Sequence, residues 1–430
     1  MRPMSSLARR LAAGAVAVLS ALIVATLLLR GGVSPAGAAP SPSGTSLASA
    51  PASATAVASP SASQDPQAVF ARIQDQVQTL RGLPAPNIGP PQLISRAQLE
   101  QELKASFEAD YPVERQRADN ITLHALGLLK PGQDVAKLQL QLLAGQVIGF
   151  YDDKKKRMAV VSSAGADPQA RITYAHEFTH ALQDHAFGLS SLDLQAVGED
   201  DRSMARLSLV EGDATYTMLQ WALAHMSPDE LRGVTQAPVP DMRGIPGWMV
   251  QQLLFPYDDG FKFVMALYAR AGGFAGVDTA FRDRLPASTE QIMDPQKYFA
   301  NERPLQVTPA DPAAALGAGW RQVESTTEGA AMVRIALQGL GVEAGAAATT
   351  AAGWGGDRLV VASGPSGAFA LAWRLKWDSA TDADQFAVAY ASVRGTLPFP
   401  AVLVRRSATE VLVVHASSQA VLDTVVAASR

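Results

Sequence analysis

Six histidines occur in the 430-residue chain, at 124, 176, 180, 185, 225 and 415, and two of them stand four apart in His176-Glu177-Phe178-Thr179-His180. Four residues is just over one helical turn, so on a helix both imidazoles leave one face toward one point. Glu177 lies beside that point, placed to reach a water there rather than to hold a metal. Two converging imidazoles with a neighbouring carboxylate suit metal-dependent hydrolysis, with the imidazoles as ligands and the carboxylate as general base. No cysteine is present. Thiolate metal sites, Cys nucleophiles and disulfides are therefore excluded, and any further ligand must be His, Asp or Glu.

Hydrolytic zinc takes three protein ligands and keeps one position open. Glu211 is the third-ligand candidate, because it is an acid on the apolar stretch Leu207, Val210, Ala214, Met218, where an unpaired charge would be costly. Gly212 beside it lets another backbone come close. Asp213 is the competing ligand, but it points roughly opposite on a helix, so both cannot hold one ion. Asp184 and Asp213 are candidates to orient the ligand imidazoles from behind. For an oxyanion donor the chain offers Tyr257, Tyr216, His185 and His225, and Tyr257 is preferred for its Pro256 and Gly260 neighbours. His124 and His415 lie in apolar contexts and read as structural.

The run His176 to Asp184 (HEFTHALQD) resembles the active helix of gluzincin metallopeptidases. Glu211-Gly212-Asp213-Ala214 is similar to the E-G-x-A segment of the peptidase MA-like bacterial metallohydrolases. Phe255-Pro256-Tyr257, Gly260 and Phe263-Val264 resemble the aromatic-glycine helix that follows in that group. The resemblance spans roughly residues 67 to 300. It implies a zincin fold in which a β-hairpin at 147–161 supplies the sheet edge above the cleft.

Local signals supply the elements that would position these groups. Asp65-Pro66 opens a helix that Gly82 ends, and Ser95 with Gln98 forms a capping box for a second. A helix interrupted near Pro131-Gly132 follows. Strands at 147–151 and 157–161 flank the turn Asp152 to Lys156. Asp167-Pro168 starts the helix carrying the histidines, which stops at Gly188, and a long helix from about Asp201 to Met226 carries Glu211. Helical spacing returns at 260–268 and 288–293. Beyond about Pro304, an Ala-rich helix at 329–352, strands at 358–362, 368–377, 401–405 and 410–415, and two further helices read as a separate α+β module.

At the N-terminus, Arg2, Arg9 and Arg10 precede an uncharged run of 19 residues, Leu11 to Leu29. That run is long enough to cross a bilayer, and its basic flank keeps the N-terminus inside. Ala36-Gly37-Ala38 also offers a cleavage site, so residues 1–30 are a signal anchor or a signal peptide, and the remainder is exported. From Gly31 to Ser63, 30 of 33 residues are Ala, Ser, Pro, Gly or Thr, a linker composition. The net charge of −4 gives no footprint for nucleic acid.

The fold expected is α+β: a mostly helical, zincin-like domain at 65–303 with an edge hairpin, and a C-terminal α+β module at 304–430. The function expected is an extracytoplasmic, membrane-anchored or secreted zinc metallopeptidase acting on peptides or proteins. His176, His180 and Glu211 hold Zn2+, and Glu177 and Tyr257 act in catalysis. The rival class is a surface binding protein that keeps the metal without turnover. The sequence sets no oligomeric state.

Overall fold

The computed structural model describes residues 65–144, 149–161, 165–236 and 242–429. The expected export segment and linker at 1–64, and the first two residues of the expected hairpin, lie outside the described residues. No described helix is long and apolar enough to cross a membrane.

The described chain is a mixed α+β structure, mostly helical, with two small sheets. Helix α1 (Pro66–Arg81) has Asp65 as its N-cap and Gly82, in the left-handed region at φ 74°, as its stop. Strand β1 (Gln92–Ile94) leads into α2 (Arg96–Asp110), where Ser95 and Gln98 complete the capping box. Next come α3 (Val113–Ala125) and α4 (Val135–Ala144), then the hairpin β2 (Gly149–Asp152) and β3 (Arg157–Val161). β3 pairs with β2 antiparallel and with β1 in parallel, so β2 is an edge strand.

Three long helices form the middle of the molecule: α5 (Pro168–Phe187), α6 (Asp200–His225) and α8 (Gly247–Ala271), with the short α7 (Pro228–Thr235) between the last two. On α5 every residue from Ile172 to Asp184 is buried, because α1, the hairpin and α6 cover it on different sides. Phe70, Ile73 and Val77 of α1 pack there against Ile172, Ala175 and Leu182. Helices α6 and α8 cross at their glycines. A Cβ on Gly212 would lie 2.3 Å from the Gly260 carbonyl oxygen, and one on Gly260 would lie 2.2 Å from that of Ser208. Only backbone fits there.

Four short helices follow: α9 (Ala275–Arg282), α10 (Thr289–Met293), α11 (Pro295–Phe299) and α12 (Pro312–Leu316). The second sheet is antiparallel, in the order β4-β5-β6-β8-β7. Its strands are β4 (Arg321–Thr326), β5 (Trp354–Ser363), β6 (Phe369–Trp377), β7 (Ala401–Arg405) and β8 (Glu410–Ala416). The Ala-rich stretch expected as one helix is two, α13 (Gly329–Leu340) and α14 (Ala344–Ala351), because Gly341 takes φ 111° and ends the first. Helices α15 (Ala380–Arg394) and α16 (Gln419–Ala428) complete the chain. Packing runs across residue 304: Leu123, Trp248 and Tyr257 share one core with Ile335, Trp354 and Leu371.

Candidate metal centre

Helix α5 is fixed at both ends. Asp167 caps it by accepting from the Ala170 N–H at 2.8 Å, Pro168 fills the first position, and Gly188 at φ 68° stops it. Gly149 lets β2 lie against α5, since a Cβ there would stand 2.9 Å from the Ala159 carbonyl oxygen and 3.3 Å from Thr173. The consequence reaches Glu177. The Tyr151 N–H on the β2 edge donates to Glu177 Oε2 at 2.8 Å, while Oε1 is buried with no hydrogen-bond partner in the protein.

His176, His180 and Glu211 meet in the interior. His176 Nε2 stands 3.3 Å from Glu211 Oε2, His180 Nε2 stands 3.4 Å from the same oxygen, and the two Nε2 atoms are 3.1 Å apart. Bonds of about 2.0–2.1 Å in a tetrahedral zinc site put ligand atoms roughly 3.3 Å apart. The three donors thus stand at ligand spacing, and they are of the N/O type that zinc accepts. The residues fit the ion.

A chain of polar contacts sets the orientation of His180. Its Nδ1 faces Gln183 Oε1 at 2.9 Å. The Gln183 amide nitrogen donates to the Val210 carbonyl and to Asp213 Oδ2, both at 2.9 Å. Neither of those acceptors can donate, so the amide oxygen must face the imidazole, and Nδ1 must carry a hydrogen. That leaves Nε2 as the atom turned to Glu211. Asp213 is in turn held by Arg81 of α1, whose Nε lies 2.8 Å from Oδ1. The Arg81 guanidinium also pairs with Asp278 at 2.8 Å and lies over the Phe274 ring.

Protonation in this cluster follows from charge at close range. Burial opposes a proton on His180, but the Glu211 carboxylate outweighs it and raises the pKa to about 9. Burial also opposes charge on Glu211, and the imidazoles, His180 foremost, hold it at about 2. Burial pushes His176 down, so it is neutral. Glu177 rises to about 7 through burial, against the pull of His180. With no metal, one proton on His180 balances Glu211.

The other sequence candidates fall into two groups. Tyr257 is in the site: its ring centroid is 6.2 Å from that of His176, and its hydroxyl bonds to Glu211. Burial and the nearby carboxylates raise that phenol well above its usual range. Tyr216 instead packs at tilted and edge-on angles against Phe261, Tyr268 and Phe274, and His185 and His225 are exposed. Asp184 does not orient an imidazole. It accepts from the Tyr151 hydroxyl at 2.8 Å and pairs with Lys156, so it ties the hairpin to α5. Asp213 is no ligand either, being taken by Arg81 and Gln183. His415 bonds the Ala125 carbonyl at 2.7 Å and the Tyr390 hydroxyl at 2.8 Å, as a buried structural link.

Sequence reasoning missed Gln183 and Arg81. Gln183 lies three residues after His180 and was reachable by helical spacing. Arg81 lies 132 residues from Asp213 and gave no local signal beyond being a cation on the buried side of α1.

Comparison with known proteins adds one match outside this cluster. Residues 316–426, from the end of α12 into α16, match the model of a domain of unknown function, DUF8575. No curated protein matches the chain, and no solved structure does. The C-terminal sheet region is thus similar to a domain family whose function is open.

Proposed function

We propose that this chain is an exported zinc metallopeptidase of the gluzincin type, with a zincin-like domain at 65–303 and a C-terminal module at 304–430. The observation that carries the reading is the 3.1–3.4 Å spacing of two His Nε2 atoms and one Glu oxygen, with a non-ligand carboxylate beside them. Zinc held by His176, His180 and Glu211 would supply a Lewis acid that polarises a scissile carbonyl and acidifies water. Glu177 takes the proton of the attacking water on Oε1 and delivers it to the leaving amine. The Tyr151 N–H holds Oε2 and keeps Oε1 available for that transfer. Tyr257 fixes the Glu211 carboxylate through its hydroxyl and is the nearest candidate donor for oxyanion charge. The β2 edge beside Glu177 fits an extended peptide substrate, the role the resemblance gives the hairpin. Export rests on the Arg-flanked run at 11–29.

A second reading, a metal-containing surface protein without turnover, is favoured by the closure of the cluster. His176, Glu177 and Glu211 are at most 1 % exposed. Against it stands Glu177, a buried carboxylate that a purely structural site does not use.

The test is metal analysis of the purified full-length chain together with cleavage of an unbiased peptide library. About one zinc per chain is expected, lost in His176→Ala and in His180→Ala. Zinc content unchanged in both variants, or iron in its place, would overturn the metal assignment. A zinc-loaded wild type that cleaves nothing would favour the second reading.

A further inference from the structure

Tyr151 meets the histidine helix twice. Its N–H donates to Glu177 Oε2 at 2.8 Å, and its hydroxyl donates to Asp184 Oδ2, also at 2.8 Å. Glu177 and Asp184 are seven residues apart on α5, two turns and about 10 Å along the axis. One residue of β2 thus lies along the helix and is tied to it at both ends. Further bonds converge on the same carboxylate. Lys156, at the end of the hairpin turn, pairs with Asp184 Oδ2, and the Leu189 N–H donates to Oδ1 at 3.3 Å. The turn is itself set by Asp152, whose Oδ1 accepts from the Lys154 and Lys155 N–H groups at 3.1 and 2.9 Å. The Asp184 side chain is only 4 % exposed, so its contacts are shielded from water.

Strand geometry makes the Tyr151 N–H the one that matters. Backbone groups of an edge strand alternate between the neighbouring strand and the free side. The Tyr151 N–H faces Glu177, so those of Phe150 and Asp152 on either side of it face β3. Among the described residues, the Tyr151 N–H is the hydrogen bond made to the Glu177 carboxylate, whose Oε1 has none. The setting of that carboxylate therefore follows the position of β2 over α5. Pairing with β3 fixes β2 within its sheet but not along the helix. Met158 and Val160 of β3 pack against the α1 and α5 side chains and hold the layers together, yet apolar contact has no preferred direction. The directional bonds are those at Asp184.

We propose that Tyr151 and Asp184 are positioning residues for the general base: fastening β2 to α5 holds the Tyr151 N–H on Glu177 Oε2 and leaves Oε1 for the proton. The inference rests on the general-base role given to Glu177. Asp184 acts at a distance, since it touches neither a ligand imidazole nor Glu177 itself. Its effect passes through the Tyr151 ring to the Tyr151 backbone, and from there to the carboxylate. Without the hydroxyl bond, β2 is free to shift along α5, and Glu177 loses the donor that selects between its two oxygens. Lys156 contributes less, because its side chain is 56 % exposed and a pair of that kind is screened.

The experiment is hydrogen exchange of single amides in the full-length chain, with steady-state kinetics beside it. In Tyr151→Phe, which removes only the hydroxyl, the residue 151 amide should exchange about tenfold faster or more, while the Phe150 amide keeps its rate within about twofold. Asp184→Ala should behave in the same way. Asp184→Asn retains an acceptor for the hydroxyl and should change the rate less. Zinc content should match wild type in all three, and kcat should fall about tenfold at unchanged KM in Tyr151→Phe and Asp184→Ala. An unchanged rate at residue 151 would overturn the proposal. So would an equal rise at Phe150, which means that the whole hairpin has loosened, or full kcat in both variants. The exchange readout needs neither metal nor turnover, so it decides the fastening by itself. Selective exchange in the variants of a zinc-loaded chain that cleaves nothing would refute the peptidase reading alone.

Discussion

His180 is held from behind by Gln183 and faced from the front by Glu211, so its ring has one orientation and one useful nitrogen. Metal binding must displace the proton that His180 and Glu211 share, and deprotonated ligands are a general condition for it. Gln183→Leu removes the acceptor for Nδ1–H and one donor to Asp213, whose carboxylate Arg81 still holds. Metal affinity should fall 10–100-fold, the usual worth of a group that orients a ligand, as read in competition with a chromogenic chelator. Unaltered affinity would mean that helix packing alone aims the ring. Glu177→Gln tests a separate role. The amide cannot accept the water's proton as a carboxylate does, but no ligand is lost. Zinc should stay bound while turnover drops about 10²–10⁴-fold, and full activity with zinc in place would disprove the general-base assignment.

Glu211 and Tyr257 are brought together by the way α6 and α8 touch at Gly212 and Gly260. Gly212→Ala places a methyl where the Gly260 carbonyl stands, so the helices must part. Overpacking of this kind costs about 1–3 kcal/mol, and here it also moves Glu211 off its spacing from the imidazoles. Both Gly212→Ala and Gly260→Ala should lower the midpoint of urea unfolding and lose zinc. A folded variant with full zinc would show that the crossing does not set the site. Much of this level was legible in the sequence, because it is locally encoded. Asp65, Ser95 and Asp167 announce their helices as caps, and the four-residue spacing of His176 and His180 needs nothing outside α5. Glu211 was readable as an acid in an apolar run. What stayed hidden depends on partners far along the chain. β1 has three residues and exists by pairing with β3, 67 residues later. Met226 reads as the end of a helix, yet Ser227 directly after it forms a capping box with Glu230 that opens α7. The Gly341 break in the Ala-rich run was visible as a glycine, but helix formers on both sides masked it.

Several buried groups across the molecule titrate in the same direction. Burial raises Glu177 and Asp201 to about 7, and it outweighs Lys297 to raise Glu290 to about 8. For His180, burial is overcome by Glu211 and the value is about 9. Each folded value lies above the unfolded one. Each group therefore contributes stability that is full below its unfolded value and lost as pH rises through its folded value. The metal-free chain should melt at progressively lower temperature from about pH 6 to pH 9, as scanning calorimetry in chelator would show. A Tm that rises over that interval would contradict the assignment. The span between Arg81 and Asp213 has a consequence in time. Closing a loop of 132 residues is entropically slow compared with forming α5 itself. A nascent or refolding chain can thus present two histidines on one helix well before Arg81 docks behind them. If zinc is bound as proposed, tight capture is expected only after α1 has docked, because Arg81 holds the Asp213 and Gln183 chain that aims His180.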